Sequence, residues 1–236
     1  MALDIKELNV SIMGNQVLRN VSIQVEAGEL VCLVGRNGAG KTTTFRSVMG
    51  FQSIDTGAIN WNEKAIAGLD THQIVASGLG YTPEGSDVFG DLSVADNIAL
   101  PTWTRTTNKS GQSRIDAAYS IFPKLREYMH RGGAELSGGE RKMVSIARAL
   151  ALDPDLLLLD EAFEGLSPAI LPTISIGLQK ILGQGRSVLL AESNFYHLPR
   201  FADRLYVIER GEIVFEGTLS EAEADAPTMR IIKGSD

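Results

Sequence analysis

The sequence has few of the residues from which disulfides, metal sites and membrane spans are built. Its one cysteine, Cys32, cannot form an internal disulfide, and its apolar flanks predict a buried thiol in a strand. The three histidines are far apart and show no metal-ligand spacing. No stretch approaches the run of about 18 apolar residues that a membrane-spanning helix requires, and the first residues lack the features of a signal peptide. These absences favour a cytosolic protein.

An excess of positive charge is missing as well. The 22 Lys and Arg residues are outnumbered by 29 Asp and Glu, which gives a net charge of −7. Broad binding of nucleic acid is therefore not expected, and any anion site must be local. The sequence also lacks a fixed-period repeat and a low-complexity linker. We therefore predict a single domain over residues 1–236.

Continuous apolar runs and turn residues predict an α/β fold. Residues 30–34, 156–159 and 187–191 have the composition of strands that are buried on both faces. Strands at 8–12 and 21–25, on either side of Gly14, predict that the fold begins with an antiparallel pair of strands. Strands at 204–208 and 212–215, joined around Gly211, predict a closing hairpin. The alternation of strands and helices predicts a mostly parallel core sheet that is covered on both faces.

Capping residues and prolines predict where the helices begin and end. Ser113 is expected to cap a helix over 115–121 that Pro123 terminates. Apolar residues recur at helical spacing between residues 141 and 152. Ser167 and Pro168 predict the N-cap and first position of another helix, which continues to about residue 182. A helical subdomain is predicted at about 87–150, and a short tail with two surface helices at about 218–236.

A glycine-rich segment lies between the first apolar strand and a predicted helix at 42–49. Residues 35–42 match the pattern Gly, any four residues, then Gly-Lys-Ser/Thr. Glycine amides can point at a phosphate, and the helix N-terminus adds about half a positive charge. We expect Lys41 to reach the β and γ phosphates, Thr42 to bind Mg²⁺ and Thr43 to bind the α phosphate. The loop residues expected to surround the phosphates are Gly35, Asn37, Gly38, Ala39 and Gly40. An incidental glycine-rich turn is the alternative.

Two acidic residues follow the second apolar strand. Asp160 is placed to hold Mg²⁺ through water, and Glu161 to orient and polarise the water that attacks the γ phosphate. Positioning is most of what phosphoryl transfer requires of a protein. The alternative for each acid is a capping or turn role after the strand.

A third motif, Leu-Ser-Gly-Gly-Glu at 136–140, precedes the amphipathic helix. Together with the phosphate loop and residues 156–161, it resembles the signature of ATP-binding cassette (ABC) ATPases. In that family two cassettes pair head to tail, and the signature of one completes the nucleotide site of the other. The resemblance implies that Ser137 and Gly139, with Gly138 between them, act on the nucleotide of a partner cassette.

Other segments resemble one subfamily. Residues 35–38, 81–85, 122–125 and 160–168 are similar to the shorter ATP-binding subunit of branched-chain or hydrophobic amino acid importers. Relatives in that group are associated with urea or short amides. The resemblance implies ATP and Mg²⁺ as cofactors, a second ATPase subunit, two membrane-spanning subunits and an external solute-binding protein. It also implies a peripheral location on the inner face of the cell membrane.

Three other kinds of protein remain as alternatives. A soluble cassette of the translation-factor or DNA-repair type would carry two cassettes or long coiled-coil inserts. A regulatory subunit would bind nucleotide with little catalysis. An exporter ATPase is disfavoured because no membrane domain is fused to the chain.

Four positions depart from the general family pattern. Glu84 stands in place of a glutamine, so it can coordinate magnesium but adds negative charge near the γ phosphate. Ser193 replaces the usual switch histidine and would contact the γ phosphate through water. Ile12 offers adenine an apolar contact without aromatic stacking. Ala162 replaces a proline, which changes backbone stiffness. We hypothesise that the chain binds Mg-ATP well but hydrolyses it more slowly than a cassette with glutamine and histidine.

The resemblance also implies a docking groove for a membrane subunit, around residues 84–91 and the helices that follow. Val88 and Phe89 are either exposed apolar anchors of this groove or core residues of the helical subdomain.

Overall fold

A computed structural model describes residues 3–233 as two β-sheets with helices packed around them. Residues 1–2 and 234–236 of the predicted domain, including the end of the predicted tail, lie outside the described residues. The strands are β1 (Leu3–Ile12), β2 (Asn15–Val25), β3 (Leu30–Val34), β4 (Thr56–Trp61), β5 (Lys64–Ala65), β6 (Leu79–Thr82), β7 (Leu156–Asp160), β8 (Ser187–Glu192), β9 (Arg204–Glu209) and β10 (Glu212–Gly217). The α-helices are α1 (Lys41–Val48), α2 (Thr71–Ala76), α3 (Val94–Ala99), α4 (Pro101–Thr104), α5 (Gly111–Ile121), α6 (Gly138–Leu150), α7 (Leu171–Gly183), α8 (Leu219–Ala224) and α9 (Ala226–Lys233).

The larger sheet within residues 3–233 has the strand order β10-β9-β3-β8-β7-β6. Its neighbouring strands pair in parallel from β9 to β6, and β10 is antiparallel to β9. The smaller sheet has the order β2-β1-β4-β5 and is antiparallel. The predicted α/β fold, with a mostly parallel core sheet, an antiparallel β subdomain and a helical subdomain, is confirmed.

The central strands are apolar throughout because both faces of the large sheet are covered. In β3, Leu30, Cys32 and Val34 pack into one core cluster with the helices α3, α5, α6 and α7. Val31 and Leu33 of the same strand pack into the other cluster, with the antiparallel sheet and α1. Burial raises the pKa of the Cys32 thiol, as expected for the predicted buried cysteine.

Two predicted helix starts are wrong. Ser110, not Ser113, caps α5: its hydroxyl accepts the Ser113 amide hydrogen at 3.1 Å, so the helix begins one turn earlier. Ser167 and Pro168 do not open α7. They form a turn in which the Ser167 carbonyl accepts the Ile170 amide, and the helix begins at Leu171.

The helix α6 extends one turn towards the N-terminus beyond its predicted start. Ser137 is its N-cap, and Glu140 completes a capping box, so the signature segment forms the first turn of the helix.

In the described part of the chain, no helix is both long and apolar enough to cross a membrane.

Candidate active site

The carboxyl ends of β3, β6, β7 and β8 meet at one edge of the large sheet. The register pairs Val34 with Glu192 and Asp160 with Ala191, which aligns the ends of the three central strands. Open α/β sheets bind ligands in the crevice outside these ends. The loops that follow the four strands carry the phosphate loop, Glu84, Glu161 and Ser193, and Asp160 is the last residue of β7.

The phosphate loop connects β3 to α1 and is shaped by two glycines. A Cβ on Gly35 would lie 2.3 Å from the Ile208 carbonyl oxygen, and one on Gly40 would lie 2.6 Å from Leu18 Cδ2. Gly40 is the N-cap of α1 with φ of 116°, a conformation that favours glycine. No side chain within residues 3–233 caps α1, so its first amides have no side-chain acceptor there, and residues 36–39 of the loop line a cavity. This geometry suits a phosphate group.

Lys41 and Glu161 form a buried ion pair at the centre of the site. Lys41 Nζ lies 3.1 Å from Glu161 Oε1, and both side chains are at most 5% exposed. Lys41 Nζ also donates to the Gly35 carbonyl at 2.6 Å. The side chain is therefore folded back along the phosphate loop, with its charge between the Gly35 carbonyl and the Glu161 carboxylate.

The backbone and carboxylate of Glu161 are both fixed. Its φ of 51° is left-handed, which is strained for a non-glycine residue. The Glu161 amide donates to the Ala191 carbonyl at 2.9 Å. Glu161 Oε2 accepts hydrogen bonds from the Ser193 amide at 3.0 Å and the Ser193 hydroxyl at 3.1 Å. Ser193 therefore contacts Glu161 directly, an interaction that the sequence did not predict.

Asp160 is fully buried beside Thr42 and Tyr81. The Tyr81 hydroxyl donates to Asp160 Oδ2 at 3.3 Å, and Oδ1 has no hydrogen-bond partner among the described residues. Burial raises the pKa of Asp160 to about 6, and the Glu161 charge adds to this, whereas hydrogen bonds from Thr42 and Tyr81 oppose it. An unpaired buried carboxylate oxygen next to a hydroxyl fits Mg²⁺, which prefers oxygen ligands.

Three other residues predicted to contact the nucleotide or Mg²⁺ are more exposed to solvent than Lys41, Asp160 and Glu161. Glu84 is exposed and affects Asp160 electrostatically by raising its pKa. No group of three His, Cys, Asp or Glu side chains within residues 3–233 could hold a metal by itself. Thr43 is half-buried in the first turn of α1, and Ile12, at the end of β1, is 37% exposed. Their contacts with nucleotide stay predictions.

The start of the signature helix is exposed to solvent. Ser137 and Gly138 are exposed. The Ser137 hydroxyl accepts the Glu140 amide hydrogen at 3.3 Å, and Glu140 Oε2 accepts the Ser137 amide hydrogen at 2.8 Å. A Cβ on Gly139 would lie 3.1 Å from Ile170, so this glycine allows close packing before α7. No hydrogen bond described for residues 3–233 joins the signature to the phosphate loop.

Two buried charged residues near the site were not identified as functional candidates from the sequence. Lys142 of α6 donates to the carbonyls of Glu84 and Glu161, each at 2.8 Å. Glu192, at the end of β8, accepts the Phe163 amide hydrogen at 2.8 Å. The sequence gives only a weak signal for such residues, because a single charged side chain within an apolar pattern is usually exposed to solvent.

Comparison with known proteins defines the class. Residues 18–164 match the family described as ABC transporter. The chain therefore belongs to the ABC transporter family and is the ATP-binding, ATP-hydrolysing subunit of a transporter. ATPase domains of this family form dimers and work with membrane permease components.

Individual relatives name two kinds of transport. The high-affinity branched-chain amino acid transport ATP-binding protein BraG of Pseudomonas aeruginosa is 36% identical over 86% of this chain and 87% of its own. The lipopolysaccharide export system ATP-binding protein LptB of Escherichia coli is 36% identical over 98% and 96%. The probable branched-chain amino acid transport protein LivF of Archaeoglobus fulgidus is 32% identical over 91% of both chains. Identity alone does not separate these two kinds of transport.

Solved structures support the fold. The ADP conformation of the ATP-binding cassette MJ1267 superposes with a TM-score of 0.84, at 23% identity and with 99% of each chain covered. A nucleotide-free ATP-binding cassette gives a TM-score of 0.85, at 23% identity and 98% coverage of each chain.

Proposed function

We propose that the chain is the ATPase subunit of an importer for branched-chain or other hydrophobic amino acids. The names of BraG and LivF support this substrate class, as do the segments that resemble the importer subfamily. A second cassette, of the same or a different chain, two membrane-spanning permease subunits and an external solute-binding protein would complete the transporter. The chain would lie in the cytoplasm against the inner face of the membrane. An importer of urea or short amides is the alternative within this class.

The fixed position of Glu161 is the observation that carries the catalytic proposal. The carboxylate is held on one oxygen by Lys41 and on the other by Ser193. Glu161 orients the attacking water and accepts a hydrogen bond from it, which is the positioning that phosphoryl transfer requires. Asp160 and Thr42, with Glu84 beside them, would hold Mg²⁺, which neutralises charge on the β and γ phosphates when bound.

Lys41 connects nucleotide binding to the state of Glu161. Phosphate oxygens would compete with Glu161 Oε1 for the Lys41 ammonium, because phosphate carries the larger negative charge. When Lys41 turns to the phosphate, Glu161 Oε1 loses its cation and becomes free to bind water. Ser193 still holds Oε2 during this exchange, so the carboxylate keeps its direction.

The substitution Glu161→Gln tests this role. We expect ATP binding to persist and turnover to fall about 10²-fold or more, because an amide is a poor proton acceptor. Glu164→Gln is the matched control, since Glu164 is exposed and lies three residues further on. Unchanged turnover in E161Q would contradict the role of Glu161. In a transporter with two different ATPase subunits, near-complete loss from E161Q in this chain alone would contradict slow hydrolysis at this site.

An apolar groove of 810 Å³ between α2, α4 and α6 supports docking to a membrane subunit. Phe89 is 54% exposed at its edge, and the Arg148 guanidinium lies 5.1 Å from the Phe89 ring centre. Val88 instead packs against the core, so its interpretation as an exposed anchor is wrong. We expect Phe89→Asp to weaken assembly with the membrane subunits and leave ATP binding intact. Ile176→Asp on α7, at a similar exposure, is the control. Unchanged co-purification of F89D would contradict this docking site.

Lipid export is the second candidate, because the match to LptB covers nearly the whole chain. Purification of the chain with its membrane subunits distinguishes the two. An importer would co-purify with permeases that recruit an external binding protein, and ligand identification on that protein would give the solute. Membrane subunits that bind lipopolysaccharide or another lipid, and recruit no such binding protein, would contradict import.

A further inference from the structure

Glu192 is a fully buried acidic residue that the mechanism above does not use. It is the last residue of β8, directly before Ser193, and its side chain is directed towards the loop that follows β7. Glu192 Oε1 accepts the Phe163 amide hydrogen at 2.8 Å. The other oxygen, Oε2, is buried and receives no hydrogen bond from any donor in residues 3–233.

The surroundings of Glu192 disfavour a negative charge. The Glu161 carboxylate and the Cys32 thiol lie close to it, and Lys142 is the nearby cation. The Lys142 ammonium donates to the carbonyls of Glu84 and Glu161, and Glu192 forms no ion pair with any described residue. Burial raises the pKa of Glu192 well above its ordinary value, and the Glu161 charge raises it further. A proton on Oε2 removes the buried charge and gives this oxygen a donor.

The Glu161 carboxylate can accept that donor. An ionised carboxylate offers about four acceptor positions. Lys41 occupies one on Oε1, while the Ser193 amide and hydroxyl occupy two on Oε2. One position is left for a donor from Glu192, and a side-chain hydrogen bond with Glu161 is among the causes that raise the pKa of Glu192.

The end of β8 holds the Glu161 loop at three successive residues. The Ala191 carbonyl accepts the Glu161 amide, the Glu192 side chain accepts the Phe163 amide, and Ser193 donates to the Glu161 carboxylate. These contacts surround a residue whose φ of 51° is strained. Strained backbone persists where its surroundings over-determine it.

We propose that Glu192 is a positioning residue for ATP hydrolysis. As a neutral carboxylic acid, it donates from Oε2 to the Glu161 carboxylate and accepts the Phe163 amide on Oε1. It thereby fixes the strained loop at 161–163 and the direction of the carboxylate that orients water. The inference rests on the proposed role of Glu161.

Two substitutions in the full-length chain, purified with its membrane subunits, test the proposal. Glutamine has the shape and hydrogen-bonding pattern of a neutral glutamic acid, so Glu192→Gln should keep kcat within about threefold. Glu192→Leu fills the site without hydrogen bonds and should lower kcat about 10–100-fold, with ATP affinity unchanged. Glu212→Gln, on exposed β10, is the control for removing an acid.

Each outcome decides the proposal. Wild-type kcat in E192L would overturn it. A loss in E192Q equal to that in E192L would show that a charged carboxylate is required and would overturn the neutral form. If E192L does not fold, E192Q decides together with an infrared spectrum at mildly alkaline pH. There the wild type should show a protonated carboxyl band that E192Q lacks, and its absence from the wild type would overturn the proposal.

Failure of the proposed function gives a different result. If Glu161 is not the residue that orients water, E161Q keeps its turnover. The infrared band of Glu192 would then persist in the wild type without any effect of E192L on kcat.

Discussion

Two glycine-containing turns precede helices in this protein, and the N-terminal amides of the two helices are capped differently. The phosphate loop ends at Gly40, and no side chain in the described chain caps α1. The signature turn begins at Ser137, whose hydroxyl caps α6, and the Glu140 carboxylate accepts a hydrogen bond from the Ser137 amide. The first turn encloses the buried Lys41, whereas the second exposes Ser137 to solvent.

The difference shows which turn is complete within one chain. The phosphate loop has its lysine, its acidic partner Glu161 and a second acid, Asp160, at neighbouring strand ends. The signature turn is held by its capping box, and no hydrogen bond described for residues 3–233 joins it to the phosphate loop. A chain that exposes such a turn can complete the site of another copy or of a related cassette.

The largest expected effect is at the phosphate loop, with Lys41→Ala. Removal of the ammonium eliminates the charge that faces the phosphates and leaves Glu161 buried without its cation. We expect ATP hydrolysis to fall about 10²–10³-fold, with weaker nucleotide binding. Lys64→Ala, on exposed β5, is the control. Turnover in K41A comparable with that of K64A would contradict the assignment of this loop.

The signature turn has its own test, in which two impaired variants are mixed. Ser137→Ala should lower turnover about 10-fold or more without changing nucleotide affinity of the single chain. In a head-to-tail pair of K41A and S137A chains, one site has both lesions and the other has none. If chains pair at random, half of the dimers are mixed and the mixture should regain about a quarter of wild-type turnover. No recovery between chains that demonstrably dimerise would contradict sharing of sites.

Lys142 connects α6, the helix that the signature turn opens, to the loops that carry Glu84 and Glu161, because its ammonium donates to the carbonyls of both residues. Lys142→Met would leave the Glu84 and Glu161 carbonyls without this donor. We expect the free energy of unfolding to fall by about 2 kcal/mol, measured by urea unfolding. Lys142→Arg retains donors and should lose less. An unfolding midpoint in K142M equal to the wild type would show that α6 is not coupled to these loops.

How well each feature can be predicted from sequence depends on the interactions that produce it. The strands β3 and β7 could be predicted because burial on both faces requires an unbroken apolar run. The phosphate loop was predictable because phosphate binding restricts residue types at fixed spacing. Ser110 and Ser113 are equivalent by type, and only packing decides which caps α5. Lys142 and Glu192 could not be predicted, because the partners that stabilise them come from distant loops.

The smallest expected effect is that of Glu140 on the free energy of unfolding. At this residue, the contribution of the cap can be separated from that of the charge. The Ser137 amide lowers the pKa of Glu140 by hydrogen bonding to its carboxylate. Glu140 therefore stabilises the fold at pH values above its ordinary pKa of 4.5, and the contribution is lost as the pH falls through its lower folded value. Glu140→Ala should lower the free energy of unfolding by about 1 kcal/mol at neutral pH.

Glu140→Gln separates the two contributions, because glutamine at this position can still complete a capping box. Its deficit at neutral pH should be smaller than that of E140A, since only the charge is lost. For both variants, the difference from wild type should shrink as urea titrations are repeated below about pH 4. A difference that does not change with pH would mean that the Glu140 charge adds nothing to the cap. The signature turn would then be stabilised by hydrogen bonding alone, as an outward-facing surface that holds its shape before a partner binds.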